Sequence, residues 1–333
     1  MEFTGTGRLD VRITPLDVGK RVSTRRLTAP PASGERFTDA VGVLTSWDEG
    51  VLLITTKRGE TVRIEESSLV AGKVIPAAPA RRRGPAADFA ELCRVASRAW
   101  QPLESARLGD WELRAAGGFT RRANSVLAAG DPGLPRDEAL ERVRAWYAAR
   151  ELPAYLQAAT GAAGTQEVLC AELEGLGWRR EATAEVWIAA LAPLADRDAD
   201  VSGVVLSRDL DEGWLRRYGR TGGGGTAAAV RRVLGAGPSV WFASVPGGGG
   251  APAAIGRCVV DGRWAGFQAV EVDPDRRRQG LGSAVMTALA QRALAEGASA
   301  AWLQVETEND GARALYDGLG FVTHHRYHHF RAP

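Results

Sequence analysis

The spacing of apolar residues changes period along the chain. In residues 1–76 the apolar positions fall in short runs: Arg21 to Arg26, Thr38 to Ser46, Val51 to Thr56 and Thr61 to Ile64. Turn signals at Trp47-Asp48-Glu49-Gly50 and Lys57-Arg58-Gly59-Glu60 separate them. Such runs between such turns predict a β-meander. Ser67 to Pro76 then reads as one helical turn and a closing strand. From residue 87 helix and strand periods alternate. Phe89, Leu92, Ala96 and Trp100 recur as one face of a helix over Asp88 to Trp100. Strands are expected at Trp111 to Ala115 and Ala123 to Ala128, around a Gly117-Gly118 turn, and again at Ala154 to Ala158 and Arg180 to Ala189. Helices are expected at Asp137 to Ala149 and Gln166 to Leu176. Residues 203–333 repeat the alternation more fully, which predicts an α/β (α+β) fold for both stretches.

Two punctuated stretches divide the chain. Pro76 to Pro85 is a proline-bracketed basic run containing Arg81-Arg82-Arg83 and reads as an exposed linker. Pro193 and a run of Asp and Arg before Val204-Val205-Leu206 mark a second boundary near residue 198. The expected organisation is a β domain at 1–76, a linker at 77–86, and α/β domains at 87–197 and 198–333. A chain of 333 residues exceeds the size at which one core stops growing, so several domains are expected. The ending of the first domain looks like that of an SH3-like barrel. Trp47, at a turn, is read as folded over the small core, with a ligand-facing aromatic as the other reading.

Composition narrows the function classes. With 45% apolar and 25% charged residues the chain is globular rather than disordered. A net charge of +2 with acids spread throughout gives no sustained positive field, which argues against a nucleic-acid partner. The longest apolar run, Val186 to Leu194, is about half of the ~20 residues a membrane span requires. Met1-Glu2-Phe3-Thr4 carries no basic and apolar leader, so a cytoplasmic location without membrane contact is expected. Cys93, Cys170 and Cys258 are far apart and suggest buried thiols, neither a disulfide framework nor a zinc site. The 40 glycines exceed the usual ~7% share. With lysine only at 20, 57 and 73 against a surplus of arginine, a GC-rich genome explains much of that bias.

The informative glycines are in the last third. A strand from Trp264 to Val272 ends in Asp273-Pro274-Asp275, followed by Arg276-Arg277-Arg278-Gln279-Gly280-Leu281-Gly282-Ser283 and a long helix to Glu296. A strand, a glycine-bearing basic turn and a helix start make an anion site, because first-turn amides lack intrahelical acceptors and the helix dipole is positive there. Gly280 and Gly282 let the backbone approach a ligand without a Cβ in the way. Neither a dinucleotide fingerprint nor a P-loop is present at this spacing.

Arg277-Arg278-Gln279-Gly280-Leu281-Gly282 resembles the R/Q-x-x-G-x-G/A pyrophosphate motif of GNAT N-acetyltransferases, which bind acetyl-CoA. After a strand at Ala300 to Glu306, the run Asn309 to Phe321 resembles the family's second signature, N-x-x-A-x-x-L-Y-x-x-x-G-F. The resemblance covers 203–333, the expected catalytic GNAT domain. Residues 87–197 resemble a degenerate copy, since Leu176-Gly177-Trp178 echoes Leu319-Gly320-Phe321 while the glycine loop is missing. Tandem chains of this kind include the mycothiol synthase type. A barrel before such a pair resembles an actinobacterial acetyltransferase group.

The resemblance implies roles. The backbone of Val270 and Val272 would hold the pantetheine arm, in a splayed gap between parallel strands. The amides of Gln279, Gly280, Leu281, Gly282 and Ser283 would hold the pyrophosphate, with Arg277 and Arg278 at the rim. Asn309 matches a cofactor-contacting asparagine, and is equally an N-cap of the next helix. Tyr316 matches the general acid that protonates the departing thiolate. Glu306 and Glu271 are candidates for the base that deprotonates the amine, with Glu306 preferred and a base-free route also open. Period two sets the Glu271 side chain on the face opposite Val270 and Val272.

Other features stay open. His324, His325, His328 and His329 are all the histidines of the chain, and they read as a terminal strand partly facing the acceptor, with no metal expected. Gly222 to Gly225 reads as a slack loop or an acceptor lid, and Gly247 to Gly250 as a loop. Trp111, Arg114, Arg121, Arg122 and Asn124 line an acceptor groove or pack between the two halves. The reading is an acetyl-CoA-dependent transferase acting on a primary amine. The alternative is a non-catalytic acetyl-CoA sensor or scaffold that recruits a protein partner through the barrel.

Overall fold

The computed structural model of the chain describes residues 11–27, 37–76, 84–219 and 225–333. The expected linker up to residue 83 and Gly222 to Gly224 lie outside them. The described residues divide into two units, one drawn from 1–80 and 158–179, the other from 81–157 and 180–332.

The first unit is an antiparallel five-stranded sheet: β1 (Arg21–Leu27), β2 (Phe37–Asp48), β3 (Val51–Thr56), β4 (Thr61–Glu65) and β5 (Leu69–Val74), in the order β4-β3-β2-β1-β5. The expected helical turn is the 3-10 segment Glu66–Ser68. Alternation along the strands puts Val22, Leu44, Leu52, Ile54 and Ile64 into one core. Trp47 belongs to the end of β2 rather than to a turn; it packs on that core and its indole Nε1 donates to Glu66 Oε2 at 2.9 Å. Helix α3 (Glu167–Gly175) packs against β2 in this unit.

The second unit is built on one eleven-stranded sheet. Its strands are β6 (Glu104–Leu108), β7 (Trp111–Ala115), β8 (Val126–Leu127), β9 (Tyr155–Thr160), β10 (Arg179–Ala190), β11 (Val205–Ser207), β12 (Ser239–Val245), β13 (Ala254–Asp261), β14 (Trp264–Val272), β15 (Ala300–Glu306) and β16 (Val322–Arg331). Their order is β11-β12-β13-β14-β15-β10-β16-β9-β8-β7-β6. Strands from both sides of the boundary expected near 198 therefore share a sheet. β10 lies between β15 and β16, and β16 lies between β10 and β9, so each half's last strand sits among strands of the other.

The strand expected at Ala123 to Ala128 is reduced to Val126–Leu127, preceded by a 3-10 turn at Arg121–Ala123. The cause is Asn124. Its Oδ1 accepts from the amides of Ala116 and Gly118, and its Nδ2 donates to the carbonyls of Phe119 and Thr120, so this backbone is latched locally instead of paired.

Helices α4 (Leu191–Ala195), α7 (Leu281–Ala295) and α8 (Asp310–Gly318) cover one sheet face, where Ala265, Phe267, Val285, Leu289, Leu303 and Phe321 form the main cluster. Helix α1 (Phe89–Ala99) contributes to the opposite face, where Phe89 meets His325 edge to face, and α5 (Glu212–Tyr218) and α6 (Ala227–Gly235) precede β12 in the chain.

Candidate active site

The site begins where two parallel strands part. β14 and β15 pair from Trp264↔Ala300 to Phe267↔Leu303, then stop, although β14 runs on to Val272 and β15 to Glu306. A bulge causes the divergence. Opposite β13 the register shifts so that Ala269 and Val270 share one partner position, and Ala269 takes a φ of 51°, unusual for a residue with a Cβ. The bulge also resets the alternation. Ala265 and Phe267 before it, and Val270 and Val272 after it, all face α7.

The side chains of Val270 and Val272 pack under α7 and do not face the gap; their backbone does. The Asp273 amide donates to Ala253 O at 2.8 Å on the β13 side. By period two Glu271 points its backbone the same way, which turns the peptide groups of Val270 and Val272 toward the opening.

At the wide end of the gap stands the start of α7. Arg278 has φ 67° and Gly280, the N-cap, has φ 78°. A Cβ on Gly280 would meet open space, so the backbone angle, not crowding, selects glycine there. Gly282 is chosen by packing: a Cβ would lie 3.3 Å from Leu315 Cδ2 and 3.6 Å from Val272 Cγ2. The first helical bond runs from Ala284 N to Gly280 O, leaving the amides of Leu281, Gly282 and Ser283 without intrahelical acceptors. Arg277, Arg278 and Gln279 are exposed at the rim, and Arg276 Nε donates to Gln279 Oε1 at 2.8 Å.

Helix α8 closes the other side. Asn309 is its N-cap, its side chain accepting from Ala312 N at 3.1 Å. The N-cap reading therefore holds. Tyr316 is buried, its ring 6.0 Å from that of Phe321, which in turn meets Phe267 at the last paired position of β14. Glu271 and Glu306 stand on the other face of the sheet: Glu271 alternates with Val270 and Val272, and Glu306 with Val305, which faces α7. Glu271 is half-buried and Glu306 exposed. The gap thus separates a tyrosine on the α7 side from two carboxylates on the opposite side.

A family model described as "Probable histone acetyltransferase Rv0428c C-terminal" matches residues 86–330. The chain belongs to that family. A second model of the same family, described as its N-terminal Sm-like domain, matches residues 16–73, so the five-stranded unit is Sm-like. Over 309 residues the chain is 28% identical to the "Probable histone acetyltransferase Rv0428c" of Mycobacterium tuberculosis, covering 92% of this chain and 93% of that one. A 52-residue segment, 16% of this chain and 35% of the relative, is 44% identical to the [Ribosomal protein bS18]-alanine N-acetyltransferase of Escherichia coli strain K12. Among solved structures, a GCN5-related N-acetyltransferase from Kribbella flavida superposes with a TM-score of 0.54 at 20% identity, over 72% of this chain and 95% of that one. The fold is thus that of the GNAT enzymes.

In this Rv0428c-like family member, the arginines singled out between Trp111 and Asn124 divide by role. Arg114 is structural: Nε donates to Ser125 O, Nη2 to Ser125 Oγ and Gln157 Oε1. Trp111 donates to Gly130 O. Arg121 pairs with Glu181. Arg122 instead donates from Nε to the Tyr327 hydroxyl at 2.9 Å. Burial disfavours its charge, but Tyr327, Tyr218 and Glu306 outweigh that and hold the guanidinium above its ordinary range.

His325, His328 and His329 are buried and His324 is half-buried. Among the described residues no group of His, Cys, Asp and Glu is placed to hold a metal ion. Burial pushes His325 and His328 down to about 3, and burial with the charges of Arg122, Arg114 and Arg121 pushes His329 well below the ordinary imidazole range. His328 Nδ1 and Thr183 Oγ1 lie 2.9 Å apart.

One functional feature escaped the sequence reading. Glu185 on β10 is buried, accepting on Oε1 from Arg326 Nε (2.9 Å) and Nη2 (2.7 Å) and on Oε2 from Trp187 Nε1 (2.9 Å), with Arg313 of α8 nearby. No local signal marks it, because its charged partners come from α8 and β16.

Proposed function

We propose that the chain is an acetyl-CoA-dependent N-acetyltransferase that transfers the acetyl group directly to a primary amine. The parting of β14 from β15 beside the glycine-capped start of α7 carries this reading. The residues present fit acetyl-CoA. Backbone groups of Val270 and Val272 offer a pantetheine edge, the amides of Gln279 to Ser283 face an anion at a positive helix end, and Arg277 and Arg278 add charge at the rim. Asn309 adds a cofactor contact from its amide nitrogen while its oxygen caps α8.

The amine approaches on the Glu306 face and its lone pair attacks the thioester carbonyl carbon. The nitrogen loses a proton to Glu306, directly or through water, with Glu271 as the second candidate. The carbonyl reforms as the C–S bond breaks, and the leaving thiolate takes its proton from Tyr316 on the α7 side. Acid and base on opposite faces of the sheet match a reaction whose two ends lie on opposite sides of the carbonyl. No covalent enzyme intermediate is needed, and positioning supplies most of the rate.

Residues 87–197 are a degenerate copy of the same half. The parallel β8 and β9 flank helix α2 (Arg136–Ala148) as β14 and β15 flank α7, but α2 starts from Pro135 with Asp137 and Glu138 in its first turn, which repels a pyrophosphate. The 3-10 turn before the closing strand of the Sm-like domain supports the SH3-like description of that barrel.

The test is release of free thiol from acetyl-CoA with a panel of amines, amino acids and peptides. Amine-dependent release supports the reading. Tight CoA binding with no turnover on any amine overturns it.

A further inference from the structure

Among Arg114, Arg121, Arg122 and Arg257, Arg122 alone has neither several acceptors nor a carboxylate partner. Arg257 is fully buried and donates to the carbonyls of Leu234, Ala99 and Ala236 and to Gln268. Arg114 has three acceptors and Arg121 has a carboxylate. Arg122, half-buried between the rings of Trp100 and Tyr327, has one neutral acceptor and, among the described residues, no ion pair. Its remaining N–H donors have no partner among the described residues, and an anion can take them.

The neighbours of Arg122 are also short of partners. Arginine only donates, so the Tyr327 oxygen is the acceptor and its own O–H proton is left to donate elsewhere. His329, on the same face of β16, lies with its ring 5.5 Å from that of Tyr327. It is 5% exposed, and its Nε2 is buried with no hydrogen-bond partner among the described residues. A buried polar atom without a partner, set beside a guanidinium with donors to spare, is a place where a ligand can supply the partner.

Register places this cluster beside the reaction centre. Thr183 meets His328 and Glu185 meets Arg326 across β10 and β16, so Ala184 stands next to Tyr327. On its other side Ala184 pairs with Glu306 of β15. Glu306, Ala184 and Tyr327 thus form one row on one face, and the small alanine leaves space between outer strands ~10 Å apart.

We propose that Arg122, with Tyr327 and His329, forms a specificity site for a carboxylate on the acceptor, so that the acceptor class is an amine bearing a nearby carboxylate, as in an amino acid. This rests on the acetyltransferase reading, with the amine at Glu306 and the carboxylate at Arg122. Arg122 fixes which acceptor binds and takes no part in the proton transfers.

The test is calorimetric titration of the CoA-saturated full chain with N-acetylglycine, N-acetyl-L-alanine, N-acetyl-L-phenylalanine and N-acetyl-L-arginine, each against its carboxamide. At least one acid is expected to bind about tenfold tighter than its amide, a difference of about 1.4 kcal/mol. Arg122→Met is expected to bring that ratio to near unity, while Arg122→Lys keeps part of it and CoA affinity stays unchanged in both. Equal binding of acids and amides, binding of neither, or a preference that survives Arg122→Met overturns the proposal. Because the readout is product binding, its failure is distinct from a failure to release thiol, which bears on the acetyltransferase reading alone.

Discussion

Arg313 Nε of α8 lies 3.6 Å from the Glu185 carboxylate of β10, so a strand from the first half of the sheet anchors the helix that carries Tyr316. Arg313 also reaches the Thr307 carbonyl, and Arg326 of β16 binds the same carboxylate. Burial raises the Glu185 carboxyl, but hydrogen bonds from Arg326 and Trp187 and the charges of Arg326 and Arg313 outweigh that and hold it below its ordinary range.

Glu185→Gln removes the carboxylate that Arg326 and Arg313 share. Breaking a buried pair of this kind costs about 3 kcal/mol. Faster hydrogen exchange at the amides of α8 and β16, with exchange in the Sm-like unit unchanged, is the expected result. Unchanged protection in α8 would show that Glu185 does not anchor it.

The two loop glycines fail for different reasons. Gly280→Ala meets no atom and suffers only from its φ of 78°, a strain of about 1 kcal/mol, expected as a several-fold loss of acetyl-CoA affinity. Gly280→Asp and Gly282→Asp add a negative charge at the helix start and, at Gly282, a tight contact with Leu315; both are expected to abolish acetyl-CoA binding by calorimetry. Normal binding by either aspartate variant would exclude this loop as the pyrophosphate site.

Tyr316→Phe keeps the ring contact with Phe321 and removes only the hydroxyl. Loss of a general acid lowers kcat by about 10²-fold or more, with acetyl-CoA affinity unchanged. Substrates with a better leaving thiol are expected to recover rate in the variant, and an absent rescue would assign the hydroxyl another role.

Stability depends on pH through the buried imidazoles. His325 and His328 have folded values of about 3 against 6.5 in the free side chain, so below pH 6.5 the unfolded chain takes up protons that the folded one refuses. Stability is full above that value and falls by about 1.4 kcal/mol per pH unit for each such histidine as pH drops toward 3. Glu185, with its value depressed, adds to the loss once pH falls below the ordinary carboxylate range. Thermal melts are expected to move down from about pH 6.5, and His325→Phe is expected to flatten that dependence.

Much of the candidate site was legible because its signals are local. Gly280 and Gly282 sit within one loop, and Asn309, Tyr316 and Phe321 within one helix and its exit, so spacing alone sets their relation. The α/β alternation likewise follows from local period. The Ala269 bulge was not legible, since a shifted register needs the partner strand, and it decides which way Val270 and Val272 turn. Nor was the contact between Arg122 and Tyr327, 205 positions apart in sequence. The helix at 167–175 reads as part of the α/β stretch by order alone, whereas its packing on β2 is a tertiary choice.

The neighbourhood of β16 carries one more consequence. It lies between β10 and β9, yet every other strand of the sheet precedes it in the chain. During synthesis both halves therefore wait with an unfilled slot between them, and the acetyltransferase sheet closes in a single late step. A nascent chain halted before Val322 would leave the two edges that β16 fills, on β10 and on β9, unpaired at once.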